Sequence, residues 1–284
     1  MILLDKGRLL VDFDKDTRNF IDAAGLDNDV NLNVDGLYTA EQARMAVHLL
    51  VSGFKAVGAW DKCKAIYVFI GANHWQHALN LKDPRDLDEA HRITWVGEVD
   101  FNGIGAKSNS SLDFGITWVT PLDFPVDNVS LSVYSQDNIL PTSESSLDMG
   151  VRGDGTIGQL LIGTYFGLAN GYFAGVNDYD AGSVILTNSS NGYFIASRTS
   201  SVKKSMYQKG YNTKKNIGTV TRNSDLITIL GCNNHLNTGL VPTDVTYSPR
   251  RLSFVHIGGG LTDIQLEQMN HIVNNFQAQL NRKV

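Results

Sequence analysis

Cysteine is almost missing from this 284-residue chain: Cys63 and Cys232 are the only two. Two cysteines make neither a disulfide framework nor a metal-site cluster, so both are expected as buried free thiols that behave as small hydrophobes. No apolar run approaches the ~18 residues of a membrane-spanning helix, so no membrane insertion is expected. The N-terminus, MILLDKGRLLVDFDKD, lacks the basic start and the ~7–15 apolar residues of a signal peptide, so synthesis and folding in a cytoplasm are expected. Positive charge is short too. Lys and Arg number 24 against 29 Asp and Glu, a net charge of −5, which argues against a general nucleic-acid binder because phosphate binding needs a basic surface. The six prolines form no Pro/Ser-rich linker that would divide the chain. What is abundant is apolar: 42% of residues, enough for a packed core and too much for global disorder.

Two segments read as helices. Thr39 followed by Gln42 forms a capping box, and Ala43, Ala46, Val47, Leu50, Val51, Phe54 and Val57 then recur at i, i+3 and i+4, with Gly58 suited to the C-terminal end. Thr262 and Gln265 repeat the box, ahead of an apolar stripe of Leu266, Met269, Val273, Phe276 and Leu280 and a basic end at Arg282 and Lys283. Such stripes are packing faces. Between them the period falls to two. Candidate strands lie at 64–70, 91–97, 112–119, 129–136, 158–166, 171–176, 183–188, 193–199, 203–208, 226–231 and 252–257, separated by Gly, Asn, Asp and Ser. The expected fold is mainly β: a concanavalin A-like β-sandwich, or jelly roll, with two flanking amphipathic helices packed side by side beneath it. Residues 1–38 are Asp/Asn-rich, with one or two helical turns, and read as an N-terminal docking arm. Residues 39–284 read as the helix-braced sandwich.

Chemistry is sparse. Retaining glycoside hydrolysis needs two carboxyls about 5–5.5 Å apart. In GEVDFNG, Glu98 and Asp100 share a strand face, but position 102 is Asn. With only five glutamates in the chain (Glu41, Glu89, Glu98, Glu144 and Glu267), the second acid is missing. His74-Trp75-Gln76-His77, with His91 downstream, lacks the glutamate of H-E-x-x-H and reads as a loop packing on its own aromatic. NGIGAKSNS misses the phosphate-loop pattern and reads as a Gly-rich turn, and no G-x-S-x-G elbow occurs. RGDG at 152–155 reads as a turn. Asn177, Asp178 and Asp180 offer calcium-type oxygen ligands; the alternative is an Asx-rich hairpin tip. Arg198, Lys203, Lys204, Lys209, Lys214, Lys215 and Arg222, with Tyr207 and Tyr211 among them, form either a solvated basic hairpin face or an anion- or sugar-binding patch.

Two stretches resemble a family of tailed-phage structural proteins. Residues 53–97, GFKAVGAWDKCKAIYVFIGANHWQHALNLKDPRDLDEAHRITWVG, match the family's pattern at Trp60, Lys64, Ala65, Ile66, Tyr67, Phe69, Asn80, Leu81, Lys82, Pro84, Asp86, Asp88 and Arg92. The end, SFVHIGGGLTDIQLEQMNHIVNNFQAQLNRKV, is similar to the family's closing strand, glycine turn and helix. The middle, 100–245, matches little; His74–His77 replaces a Gly/Thr-rich loop and Val68 a proline. The family's members resemble concanavalin A-like or laminin-G-like jelly rolls built into virions. The resemblance carries no catalytic residue and no cofactor.

It implies a non-enzymatic virion protein, a tail or tail-fibre component whose lectin-like domain serves assembly or host-surface contact. Its expected partners are other virion proteins and a host surface polysaccharide, and it is expected to be a homo-oligomer. A capsid decoration or head-fibre protein, a glycan depolymerase and a free lectin are the alternatives. The expected contact residues are aromatic and polar loop tips: His74, Trp75, Tyr172, Tyr179, Tyr207 and Tyr211. In the charged 80–92 segment, Asp83, Arg85, Asp86 and Asp88 are expected to form salt bridges and turns, with Pro84 fixing φ.

Overall fold

The computed structural model describes residues 3–5, 8–10, 12–32, 34–140, 146–154, 156–167, 170–178, 184–209, 211–216, 220–234 and 242–284, with the backbone alone at 3–5, 8–10 and 211–216. The chain is a β-sandwich of two largely antiparallel sheets, with a layer of helices laid on the outer face of one of them.

The helix-side sheet runs in the order 211–216, 203–208, 192–200, 129–135, 251–258, 105–107 and 100–102, and 63–67 also pairs with 251–258. The opposite sheet runs 184–186, 171–178, 157–166, 149–151, 228–229, 114–116 and 94–96. Period-two alternation decides what each face of the shared sheet meets. In Val129–Ser135, Val129, Leu131 and Val133 point into the sandwich core with Leu160, Ile162, Tyr172 and Val176. Tyr134 points the other way, into the helical core. The strand is therefore buried along its whole length.

The helices are α1 (Lys15–Ala24), α2 (Asp29–Leu32), α3 (Ala40–Ala56), α4 (His74–Ala78) and α5 (Asp263–Gln279). Both expected capping boxes form. Thr39 Oγ1 accepts from Gln42 N at 3.2 Å and Gln42 Oε1 from Thr39 N at 2.8 Å. Thr262 Oγ1 accepts from Gln265 N at 3.3 Å, and Gln265 Oε1 from Thr262 N at 3.0 Å. Gln265 also donates to Val57 O and Gly58 O, tying the start of α5 to the end of α3. The α3 and α5 stripes meet over Phe254, whose ring lies 6.1–6.3 Å from those of Phe54, Tyr193 and Phe276 in edge-on geometry.

The segment expected as an N-terminal docking arm packs on the chain's own helices. Over 12–38 it is part of this helical layer: Phe20, Ile21, Ala24, Leu26, Leu32, Val34 and Tyr38 are buried in the same cluster as α3 and α5. Most of the segment's large apolar residues point inward, Val30 being the exposed exception. Asp14 caps α1 and pairs with Lys55 of α3 at 2.8 Å.

The C-terminal Arg282 is not a surface cation at a helix end either. It is buried beyond α5 and donates to Phe69 O, Gly103 O, Val68 O and Ser253 O at 2.7–3.4 Å, with Gln277 Oε1 on its Nε at 2.9 Å. Burial lowers its pKa to about 10, which leaves it charged at neutral pH.

Candidate functional site

The two sheets end side by side at one corner. Thr94–Val96 is the last strand of the opposite sheet and Asp100–Asn102 the last strand of the helix-side sheet. Residues 97–99 carry the chain from one to the other. Gly97 makes this possible: its φ is +72°, and a Cβ there would lie 2.3 Å from Asp113 Oδ1 and 2.4 Å from Leu112 O. Short edge strands leave backbone without a neighbour, and α4 covers part of the opening.

Helix α4 stands where a loop was expected. Gln76 explains it: its Oε1 accepts from Asn73 Nδ2 at 2.9 Å, and its Nε2 donates to Ala24 O and Asn31 O across to α1 and α2. Gly71 is obligatory beside it, since its φ is +85° and a Cβ would sit 2.0 Å from Gln76 Oε1. His74 and Trp75 thereby face outward, while Gln76 and His77 face inward.

The result is a groove of about 470 Å³ lined by Asn73, His74, Trp95, Glu98, Asp100 and Phe101 among others. Trp95 and Phe101 stand at 70° to each other with centroids 4.9 Å apart, and His74 is 6.4 Å from Phe101. Trp95 is pinned by its Nε1–H, which donates to His74 O at 3.0 Å. Beneath them His77 packs on Phe69 and Phe101 at 5.4 Å. Burial lowers its pKa to about 3, so the ring is neutral, with Nε2 donating to Gly71 O at 2.8 Å. Asp100 forms an ion pair with Arg251 Nη2. Asp113 accepts from Glu98 N at 2.7 Å and from Ser110 Oγ at 2.9 Å.

The structure thus brings His74 into one groove with the Glu98/Asp100 pair. Trp75, 42% exposed, lies over Gly25 and is not among the residues lining the groove. Trp95 and Phe101 were not expected. The one available signal was an aromatic close to each carboxylate, Trp95 three residues before Glu98 and Phe101 directly after Asp100, and nothing in a single sequence links residues 73–74 to 95–101.

Other expected contacts are corrected. Tyr172 is fully buried in the sandwich core against Phe194 at 5.1 Å, because an even register on 171–178 turns it inward. Tyr207 is buried in the helical core. Tyr211 lies in a strand whose side chains are not described, and Tyr179 and Asp180 lie outside the described residues. Asn177 and Asp178 are buried rather than at a hairpin tip. Asp178 pairs with buried Lys204, so its charge is already answered. Arg198 is also interior, donating to Asn177 O, Ser200 O and Ser201 O, so the basic hairpin face loses two of its cations. The histidines do not converge: His91 bonds Trp118 O through Nδ1, and among the described residues no cluster suits a metal. The 80–92 segment does form the expected bridges, Arg85–Asp83, Arg92–Asp86 and Arg92–Asp88.

No family model and no curated protein matches the chain. Among solved structures it is similar to a Trypanosoma rangeli sialidase in complex with sialic acid, at 14% identity and a TM-score of 0.44, covering 72% of this chain and 32% of that one. It is also similar to the binding domain of botulinum neurotoxin serotype D, at 11% identity and a TM-score of 0.41, covering 75% of this chain and 52% of that one. This chain therefore spans about a third and about half of those two proteins' lengths. Likeness at that level adds nothing to the sandwich class read from the sheets.

Proposed function

We propose that the chain is a non-enzymatic structural component of a tailed-phage virion, carried in the tail or a tail fibre as a homo-oligomer, with its lectin-like sandwich turned toward host surface polysaccharide. The observation that carries the reading is where the two resembling stretches meet. They are far apart in sequence, yet Cys63–Tyr67 pairs directly with Arg251–Gly258, and Lys62 Nζ donates to Gly260 O at 3.0 Å and to Gln265 Oε1 at 2.9 Å. Within the first stretch, Asn80 accepts from Ile66 N and donates to Ala90 O, Lys82 sits 4.0 Å over the Trp60 ring, and Tyr67 OH donates to His91 O. The shared residues form one connected block, so the resemblance follows a structural unit rather than two chance strings.

The site supports binding over hydrolysis. Glycosidases need one carboxyl protonated opposite another, and Asp100 is already answered by Arg251.

Particles purified from cells that make this chain should contain it by mass spectrometry, and antibodies against it should label the tail. Absence from purified virions sinks the reading. Label spread over the capsid at lattice copy number transfers it to the decoration alternative, and release of reducing ends from host polysaccharide transfers it to the depolymerase.

A further inference from the structure

We infer that the corner groove recognises a saccharide through a positively charged amino group. The inference deepens the glycan-contact part of the reading above and rests on it. Three differently oriented rings, His74, Trp95 and Phe101, line one small concavity. The Trp95 and Phe101 faces carry negative quadrupole density and attract ammonium groups held over them. The volume, about 470 Å³, lies inside the roughly 300–1,000 Å³ range of small-ligand sites.

Charge decides what kind of ligand fits. Glu98 and Asp100 line the groove and Asp113 lies directly under Glu98. Arg251 answers Asp100, and Asp113 is engaged by Ser110 Oγ and the Glu98 amide. The Glu98 carboxylate has no hydrogen-bond or ion-pair partner among the described residues, and it is exposed beside the rings. A neutral sugar would stack and leave that carboxylate in water. An anionic sugar would be repelled. A sugar with a free ammonium satisfies Glu98 and the ring faces together, and N-acetylation removes the charge that both require.

The test is calorimetric titration of the whole chain with a glucosamine oligomer and, separately, with the matching N-acetylglucosamine oligomer. The glucosamine oligomer is expected to bind about tenfold more tightly, and Glu98→Gln to erase about that factor. Rising salt should weaken binding as it screens the exposed carboxylate. Glu98 is exposed, so Glu98→Gln should keep the parent melting temperature. Phe101→Leu, which keeps an apolar side chain, should weaken binding by removing one ring face. Equal affinity for the two oligomers, or no effect of Glu98→Gln, overturns amine recognition and leaves sugar contact at the groove. Failure of the glucosamine oligomer to bind also overturns it. In that case, adhesion of the same protein to host polysaccharide decides separately whether the glycan-contact reading stands.

Discussion

The helical brace and the corner groove are built from the same residue types by opposite means. In the brace, α3 and α5 lay continuous apolar stripes on one face of a sheet, and every stripe residue from Leu266 to Leu280 is buried. In the groove the aromatics come from a five-residue helix and two three-residue edge strands. Periodicity builds the first and tertiary accident the second. The brace should therefore hold stability, while the groove is free to carry a ligand.

The largest effect that could break this contrast lies at Phe254. Its ring touches α3 through Phe54, α5 through Phe276 and the sheet through Tyr193. Phe254→Ala should cost about 4 kcal/mol in urea unfolding, the sum of lost transfer energy and a cavity between three elements that cannot all collapse into it. A loss below about 1 kcal/mol would mean that the layers relax freely and the brace is not the rigid part.

Arg282 joins the two regions, so its replacement tests whether they are separable. It leaves the end of α5 and holds Phe69 O, whose residue packs on Trp95, and Gly103 O, just past Phe101. Arg282→Met should cost about 3 kcal/mol by leaving several buried carbonyls without a donor. Arg282→Lys should recover part of this, since an ammonium keeps the charge but not the planar fork. Hydrogen exchange should then rise at 68–70 and at 103–105 together. Exchange rising at only one of them would show that the guanidinium does not couple brace and groove.

The same contrast explains what could be read beforehand. Both capped helices and their stripes follow from local chemistry and period and stand where that chemistry puts them; each of the eleven candidate strands overlaps an observed strand, though 91–97, 112–119 and 226–231 shorten to Thr94–Val96, Phe114–Ile116 and Thr228–Ile229. Which face a strand residue takes depends on register. That is why Tyr172 and Tyr207, expected at loop tips, are inside. Buried charge was harder still. Lys204, Arg198 and Arg282 look like surface cations in any window, and only their partners, Asp178 and the carbonyls of distant strands, make them interior. The groove needed 73–74 and 95–101 to be neighbours, and no local signal encodes that pairing.

The smallest expected effect tests how firmly the N-terminal segment belongs to the brace. Asp14 caps α1 through Asp16 N at 3.0 Å and pairs with Lys55 of α3 at 2.8 Å. Burial alone would raise its pKa, but the hydrogen bonds from Lys55 and Thr17 outweigh it and lower the value to about 2. A depressed carboxylate stabilises the fold above its unfolded pKa, about 3.9. That contribution is lost as the pH falls from there through the folded value of about 2. The pair is partly exposed, so screening and side-chain entropy reduce its worth, and about 1 kcal/mol is expected, in line with the loss of a helix cap. Asp14→Ala should lower stability by that amount at pH 7 and by much less near pH 2, where the parent has itself begun to lose the interaction. If the variant and the parent differ equally at both pH values, the cap and not the charge holds α1 to α3.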